Sequence, residues 1–273
     1  MKIPHVLKIF YYMYQLSKRN LKAYMSQVAV PCCEEIKENS VHWVGHATTV
    51  INLNGKIIVT DPVSGNLGFI KRLVKPSIKL KNIDADYLII THKHMDHLKY
   101  TTLLCMNKQA TVIVPSGIKS MLKIMGFKNI VEMKAEGIYK DAFIEILCIK
   151  ANHKGNRYPL LGSKQSNSYL ISSGGKSILF AGDTSDTTVY KNITADAAIM
   201  PVGCYKPDDY LKMHCSPEQS FNMFKMMNCK LMIPIHYKTY ILAQDKDKET
   251  IRILGKLNDG SIKIIDIGQT VSI

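Results

Sequence analysis

Thr91-His92-Lys93-His94-Met95-Asp96-His97 places three imidazoles and a carboxylate within six consecutive positions, directly after the apolar run Tyr87-Leu88-Ile89-Ile90. Such a density of donors is a metal-ligand pattern, because imidazole and carboxylate suit first-row divalent cations and are rarely crowded together without one. The run from Ala85 to Ile90 reads as a buried strand, so the cluster sits on the loop leaving its carboxyl end, where open α/β sheets place their ligands. Alternate residues beyond a strand point the same way, which lets His92 and His94 share one cation while Asp96 and His97 turn toward a second position. A solvated polar turn is the bland alternative. One cluster does not complete two sites, so the remaining donors are sought farther along.

They recur at the same kind of place. Phe143 to Ala151 reads as a strand followed by His153, Leu231 to Ile235 as a strand delivering His236, and Leu179-Phe180-Ala181-Gly182 as a strand end delivering Asp183. A lone histidine in such a position is more often a hydrogen-bonded structural residue; it is the repetition that makes the argument. His92, His94, Asp96, His97, His153, Asp183 and His236 make seven donors. Seven are too many for one tetrahedral ion and suit two, with one carboxylate shared.

Between these points the chain alternates strands and helices, which makes the class α/β. Thr48 to Leu53 and Lys56 to Thr60 flank Asn54-Gly55, the strongest short-range hairpin signal. Thr111 to Pro115 reads as a strand and Ser116 to Met125 as a helix. Ser168 to Ile171 and Ser177 to Phe180 form a second hairpin, Asp196 to Val202 is a buried strand, and Ser216-Pro217-Glu218 opens a helix reaching Met227. In the basic loop before Ala85, Lys71, Arg72, Lys75, Lys79 and Lys81 either receive an anionic substrate or are simply solvated.

With 273 residues, 46% hydrophobic and 21% charged, the chain is an ordinary globular one and large enough for a substantial core. Its 36 Lys+Arg against 22 Asp+Glu give +14, which favours a phosphate-bearing, nucleic-acid or anionic-membrane partner without choosing among them. Seven cysteines lacking any Cys-x-x-Cys pair, and no leading signal peptide, read as reduced thiols of a cytoplasmic protein; a Cys-rich metal site is the alternative. No stretch is apolar for the ~18 residues of a membrane-spanning helix. Residues 1–35 form a basic amphipathic segment and linker ahead of a single domain at 36–273. Ile3, Val6, Leu7, Phe10, Tyr11, Tyr14 and Leu21 fall near helical period among Lys2, Lys8, Lys18, Arg19 and Lys22. Residues 1–28 therefore either cover the domain or make peripheral contact with the inner membrane face.

The His-x-His-x-Asp-His cluster, followed by a separate His, a Gly-Asp-Thr turn and a final His, resembles the metallo-β-lactamase fold hydrolases from about Val41 onward. More narrowly, six segments are similar to the branch containing N-acyl phosphatidylethanolamine phospholipase D and ascorbate-6-phosphate lactonase. They are Trp43-Val44-Gly45-His46-Ala47-Thr48-Thr49, Thr60-Asp61-Pro62, Phe180-Ala181-Gly182-Asp183-Thr184, Pro201-Val202-Gly203-Cys204-Tyr205-Lys206-Pro207, His214-Cys215-Ser216-Pro217-Glu218 and Ile233-Pro234-Ile235-His236. The resemblance implies a four-layer αββα sandwich with a two-metal site along one sheet edge. It implies His92, His94 and His153 on one ion, Asp96, His97 and His236 on the other, and Asp183 bridging. Zinc is the first expectation for both ions, with manganese and iron as alternatives. His214 aligns with the family's His before Pro-Glu, which implies contact with a phosphate or help to the leaving group; a backbone-bonded helix-entry residue is the plain alternative. His46 is expected to buttress a ligand from behind, and Gly45 to matter for chain geometry alone. The branch usually reads Glu-Pro-Arg-Trp after its tyrosine, whereas this chain has Lys206-Pro207-Asp208-Asp209-Tyr210, so substrate identity does not carry over with the metal set.

The expected activity is hydrolysis, by a water activated between two cations, of a phosphodiester in the phospholipase D manner or of a phosphorylated small molecule. Asp96 would orient that water or take its proton. The expected partner is an anionic small molecule or lipid. Opening of a phosphorylated sugar lactone is the nearest alternative, a nuclease the next, and a non-enzymatic metal-binding, membrane-docking protein the last. Nucleic acid is not expected, because no aromatic-basic stacking platform is visible.

Overall fold

In the computed structural model, which describes residues 5–157 and 164–273, the alternating texture resolves into two facing sheets between layers of helices. In chain order the strands are β1 Ser40–Gly45, β2 Thr48–Leu53, β3 Lys56–Thr60, β4 Tyr87–Ile89, β5 Thr111–Pro115, β6 Asn129–Met133, β7 Ile138–Lys140, β8 Glu145–Lys150, β9 Asn167–Ser173, β10 Lys176–Phe180, β11 Thr194–Pro201, β12 Asn228–Ile235 and β13 Thr270–Ser272. The helices are α1 His5–Met25, α2 Tyr100–Leu104, α3 Lys119–Ile124, α4 Pro217–Lys225 and α5 Asp247–Leu257. One sheet runs β13-β1-β2-β3-β4-β5-β6 and the other β12-β11-β10-β9-β8-β7.

Alternation along β4 shows how the layers separate. Tyr87 and Ile89 face the inter-sheet core with Val41, Trp43, Ile51 and Ile58 from their own sheet and Ile146, Tyr169, Ile178 and Phe180 from the other. Leu88 and Ile90 face outward into a second cluster, where Leu103 of α2 and Leu122 of α3 pack with Val112 and Val114. On the far side Met223 and Phe224 of α4 and Leu254 of α5 cover the second sheet. These layers make the αββα sandwich.

Direction of the strands places the site. β3, β4, β5 and β6 are mutually parallel, as are β10, β11 and β12, while β8 is antiparallel to β9 and β9 to β10. The carboxyl ends of β4, β8, β10 and β12 therefore open toward one edge of the sandwich. Local chemistry secures the elements around it. Asn54 and Gly55 take φ of 51° and 77°, as a type I′ hairpin requires. Ser216 and Gln219 form a reciprocal capping box at α4, with Pro217 at its first turn.

The helix expected from Ser116 begins only at Lys119, because Glu132 Oε1 accepts the amides of Gly117, Ile118 and Lys119 and holds the entry as a turn. The basic loop is divided in role. Arg72 is buried and donates to the carbonyls of Val44, Val63 and Val74 and to the Tyr240 hydroxyl, which makes it a structural tie and not a substrate contact. Lys71 donates to the carbonyls of Tyr24 and Ser26 at the end of α1. That helix runs unbroken from His5 to Met25, but Lys2, Ile3 and the side chain of Val6 lie outside the described residues. Among the described residues no helix is long and apolar enough to cross a membrane, and all seven cysteines are free thiols.

Candidate metal centre

Loops leaving four strands bring all seven expected donors to one edge. His92, His94, Asp96 and His97 follow β4, His153 follows β8, Asp183 follows β10 and His236 follows β12 directly. They meet as two groups, His92, His94, His153 and Asp183 in one, and Asp96, His97 and His236 with His46 in the other. Within each group the ligand atoms lie within 4.8 Å of one another. Asp183 joins the groups. Its Oδ2 is 3.8 Å from His92 Nε2, 4.0 Å from His153 Nε2 and 3.2 Å from His97 Nε2, while its Oδ1 is 3.1 Å from His236 Nε2.

The donor set fits divalent cations on a direct observation. Both Asp183 oxygens and His92 Nε2 are buried with no hydrogen-bond partner, and leaving such atoms unsatisfied costs about 1–3 kcal/mol each. A cation between them would satisfy all three at once. His97 Nε2 and His236 Nε2 face each other at 3.3 Å in the same way.

Packing fixes the ligand backbones closely. Gly182, at φ 60°, leaves no space for a Cβ, which would lie 2.9 Å from Cβ of Thr91. A Cβ on Gly203 would lie 2.0 Å from the carbonyl oxygen of His236. The Asp183 turn thus approaches the first cluster, and the chain leaving β11 approaches His236, as only glycine allows.

Behind the ligands stands a buried carboxylate whose role the sequence did not reveal. Asp61, just past β3, holds His97 Nδ1 at 2.7 Å through Oδ2, and accepts the Thr91 hydroxyl at 2.7 Å and the Thr91 amide at 2.8 Å. The Thr91 hydroxyl is also 2.9 Å from His92 Nδ1. One carboxylate therefore orients ligands of both groups. In sequence it showed as Asp-Pro at a strand end, which a turn explains equally well, and as part of the family-like segment Thr60-Asp61-Pro62, neither of which assigned it a role. His153 is oriented differently, with Nδ1 2.6 Å from the Met213 carbonyl. Asp61→Asn is expected to weaken metal affinity roughly tenfold or more while the chain stays folded, as read by competition with a chelator. Unchanged affinity would show that His97 needs no support from Asp61.

His46 lies where a supporting role was expected. It occupies the β1–β2 turn at φ 54°, with Nε2 2.9 Å from Asp96 Oδ2. Burial and then His236 lower its pKa to about 3 despite Asp96, so the ring is neutral. Gly45 beside it is sterically obligatory, since a Cβ would lie 2.5 Å from Arg72 Nη2.

Electrostatically the centre is a balance of carboxylates and imidazoles. Burial disfavours the Asp183 carboxylate, but His236 and His97 outweigh it and hold the group well below the usual range. Burial likewise disfavours a charged His97, but Asp183, Asp96 and Asp61 lift it to about 10. Cations binding there would have to displace that proton.

His214 reaches the cluster from the segment between the 3₁₀ turn Asp208–Lys212 and α4. Its Nδ1 is 3.7 Å from Asp183 Oδ2, buried and without a hydrogen-bond partner, while its backbone amide donates to the Tyr210 carbonyl. Burial lowers its pKa to about 3, which keeps the ring neutral. Cys204 lies with His214 and His236. Burial pushes its thiol up to about 12, which disfavours the thiolate a cysteine ligand would supply.

A cavity of about 260 Å³ opens next to Met95, between His94 and Asp96. Leu67 and Gly68 line one side, Lys99, Tyr100 and Arg157 the other. Arg157 stacks over the Tyr100 ring at 4.5 Å and donates through Nη2 to the Leu98 carbonyl, which leaves Nε buried without a partner.

Comparison with known proteins agrees with this geometry. The β-lactamase superfamily domain matches residues 56–237. N-acyl-phosphatidylethanolamine-hydrolyzing phospholipase D 1 of Caenorhabditis elegans is 29% identical to the chain, covering 83% of it and 74% of the relative. A metal-dependent hydrolase of Geobacillus sp. is 28% identical, covering 85% of the chain and 99% of the relative. The solved structure of an isothiocyanate hydrolase from Delia radicum gut bacteria superposes with a TM-score of 0.72 at 18% identity, covering 86% of this chain and 98% of that one.

Proposed function

We propose, from the premise that the chain belongs to the β-lactamase superfamily, that it is a metal-dependent hydrolase of anionic phosphodiesters. The observation that carries the reading is Asp183, whose two oxygens face the two histidine groups and have no other partner. His92, His94 and His153 would hold one cation, Asp96, His97 and His236 the other, and Asp183 both. Bound ions supply Lewis acidity, which makes hydroxide available near neutral pH and withdraws charge from the ester. Zinc is the first candidate, manganese and iron the others.

The chain's own residues divide the remaining work. Asp96, steadied by the neutral His46, would orient the attacking water and hold its proton. His214, with its unpartnered Nδ1 beside Asp183, would donate a hydrogen bond to a substrate oxygen. Arg157, with Lys99 nearby, would receive the negative charge of the substrate in the cavity beside Met95. Two cationic side chains lining that cavity support an anionic, phosphate-bearing substrate. Likeness to a phospholipase D supports a diester with a lipid arm.

The protein purified without chelator is expected to hold more than one equivalent of transition metal per chain, with His94→Ala reducing it. Loaded protein is expected to hydrolyse bis(p-nitrophenyl) phosphate and phospholipids in preference to lactones and RNA. Arg157→Ala should raise KM for an anionic diester roughly tenfold with kcat nearly kept, as loss of a charged contact made equally before and during reaction would do. A folded protein that takes up no zinc, manganese or iron rejects the reading, and a loaded one that opens only lactones rejects the substrate class.

A further inference from the structure

An amphipathic helix ordinarily buries its apolar stripe and shows its polar face to water. In α1 the longer apolar stripe faces outward, and a mixed face is turned inward. Leu7, Phe10, Tyr11, Tyr14, Leu21 and Met25 follow one another at three, one, three, seven and four residues, a single stripe of the helix, and every one of them is exposed. Phe10 keeps 68% of its surface and Met25 87%. The opposite face, Tyr12, Gln15, Leu16, Arg19, Asn20 and Ala23, is the one turned inward.

Polar ties hold the helix in this orientation. Arg19 donates to the carbonyls of Ala243 at 2.6 Å and Asp245 at 3.0 Å, Asn20 to that of Ile241 at 3.0 Å, and Gln244 to that of Tyr12 at 3.0 Å. The covering role weighed for residues 1–28 is therefore met by the wrong face. A helix kept only as a cover would turn these large apolar side chains inward, since removing them from water stabilises the fold.

We propose that the outer face of α1, together with Phe69, docks on an anionic lipid bilayer. Lys18 lies within the stripe between Tyr14 and Leu21, and Lys8 and Lys22 flank it on one side; all three are exposed, so the surface pairs apolar side chains with positive charge. That charge selects the occupant. A second copy would set lysines against lysines, whereas anionic headgroups neutralise them. Phe69, 93% exposed, extends the surface from the loop that Lys71 ties to the end of α1. Two neighbouring features connect docking to the metal edge. Leu67 and Gly68 of the same loop line the cavity beside Met95. Arg19 lines a small cavity with His46 and His236, so the inner face of the docked helix lies against the metal centre.

Flotation of the full chain tests the proposal, with phosphatidylcholine vesicles containing phosphatidylglycerol against pure phosphatidylcholine vesicles. Co-flotation with the anionic vesicles and its weakening by salt are expected, because exposed charge attraction is screened over ~10 Å at 0.1 M. The double variants Phe10→Ser/Tyr14→Ser and Lys18→Glu/Lys22→Glu should each lower partitioning about tenfold or more, with thermal unfolding unchanged because all four positions are exposed. A folded chain that ignores anionic vesicles, or binds them equally well in both variants, overturns it. So does a dimer, read by light scattering, that Phe10→Ser/Tyr14→Ser abolishes while vesicles are ignored, because the stripe then meets a second copy. The readout needs no turnover, so failure of docking and failure of the hydrolase reading are separate results.

Discussion

Asp183→Asn is expected to lower turnover of every substrate by roughly 10³-fold or more, because several kcal/mol of charge stabilisation depend on ions that this carboxylate would hold. The substitution keeps size and removes charge, so the fold should survive. Metal content should fall with activity, since the carboxylate lies between both histidine groups and is held ionised by His236 and His97 against the cost of burial. Equal loss on good and poor leaving groups is expected. A variant that retains metal and loses little activity would show that Asp183 is not the shared ligand.

His214→Ala should behave differently. With Nδ1 3.7 Å from Asp183 Oδ2 and no ligand role in either group of four, its removal should leave metal content near that of the parent. Turnover is expected to fall roughly 10²-fold or more, the effect of losing a hydrogen-bond donor aimed at developing charge. A nitrophenyl ester and a poor leaving group should suffer alike, because a neutral, buried imidazole can donate a hydrogen bond through its one N–H but is too weak an acid to protonate a leaving group. Loss confined to the poor leaving group would instead establish an acid. Loss of metal would place His214 among the ligands with Cys204 and His236.

The candidate metal centre was legible in the sequence because ligand chemistry is local and periodic. Three histidines and an aspartate next to Leu88-Ile89-Ile90 need no tertiary information to be recognised, and His153, Asp183 and His236 repeat the arrangement at other strand ends. The β2–β3 hairpin and the start of α4 were legible for the same reason, since Asn54-Gly55 and Ser216-Pro217 carry their own backbone preferences. Strands β6 and β7 were not, because Asn129–Met133 and Ile138–Lys140 are short, partly exposed pieces at sheet ends without a continuous apolar run.

By itself the sequence determined the α/β class, the two-sheet family resemblance, the seven donors and the amphipathic character of the first helix. Tertiary structure alone decided that His46 joins the second group of donors, that Asp61 steers ligands of both groups, and that Arg72 is a buried tie while Arg157 faces a cavity. It also decided which way α1 faces, for an apolar stripe fixes a helix's period but not the side it turns to the domain. That choice is made by Arg19 and Asn20 bonding the carbonyls of Ile241, Ala243 and Asp245, partners more than two hundred residues away, which local sequence cannot specify.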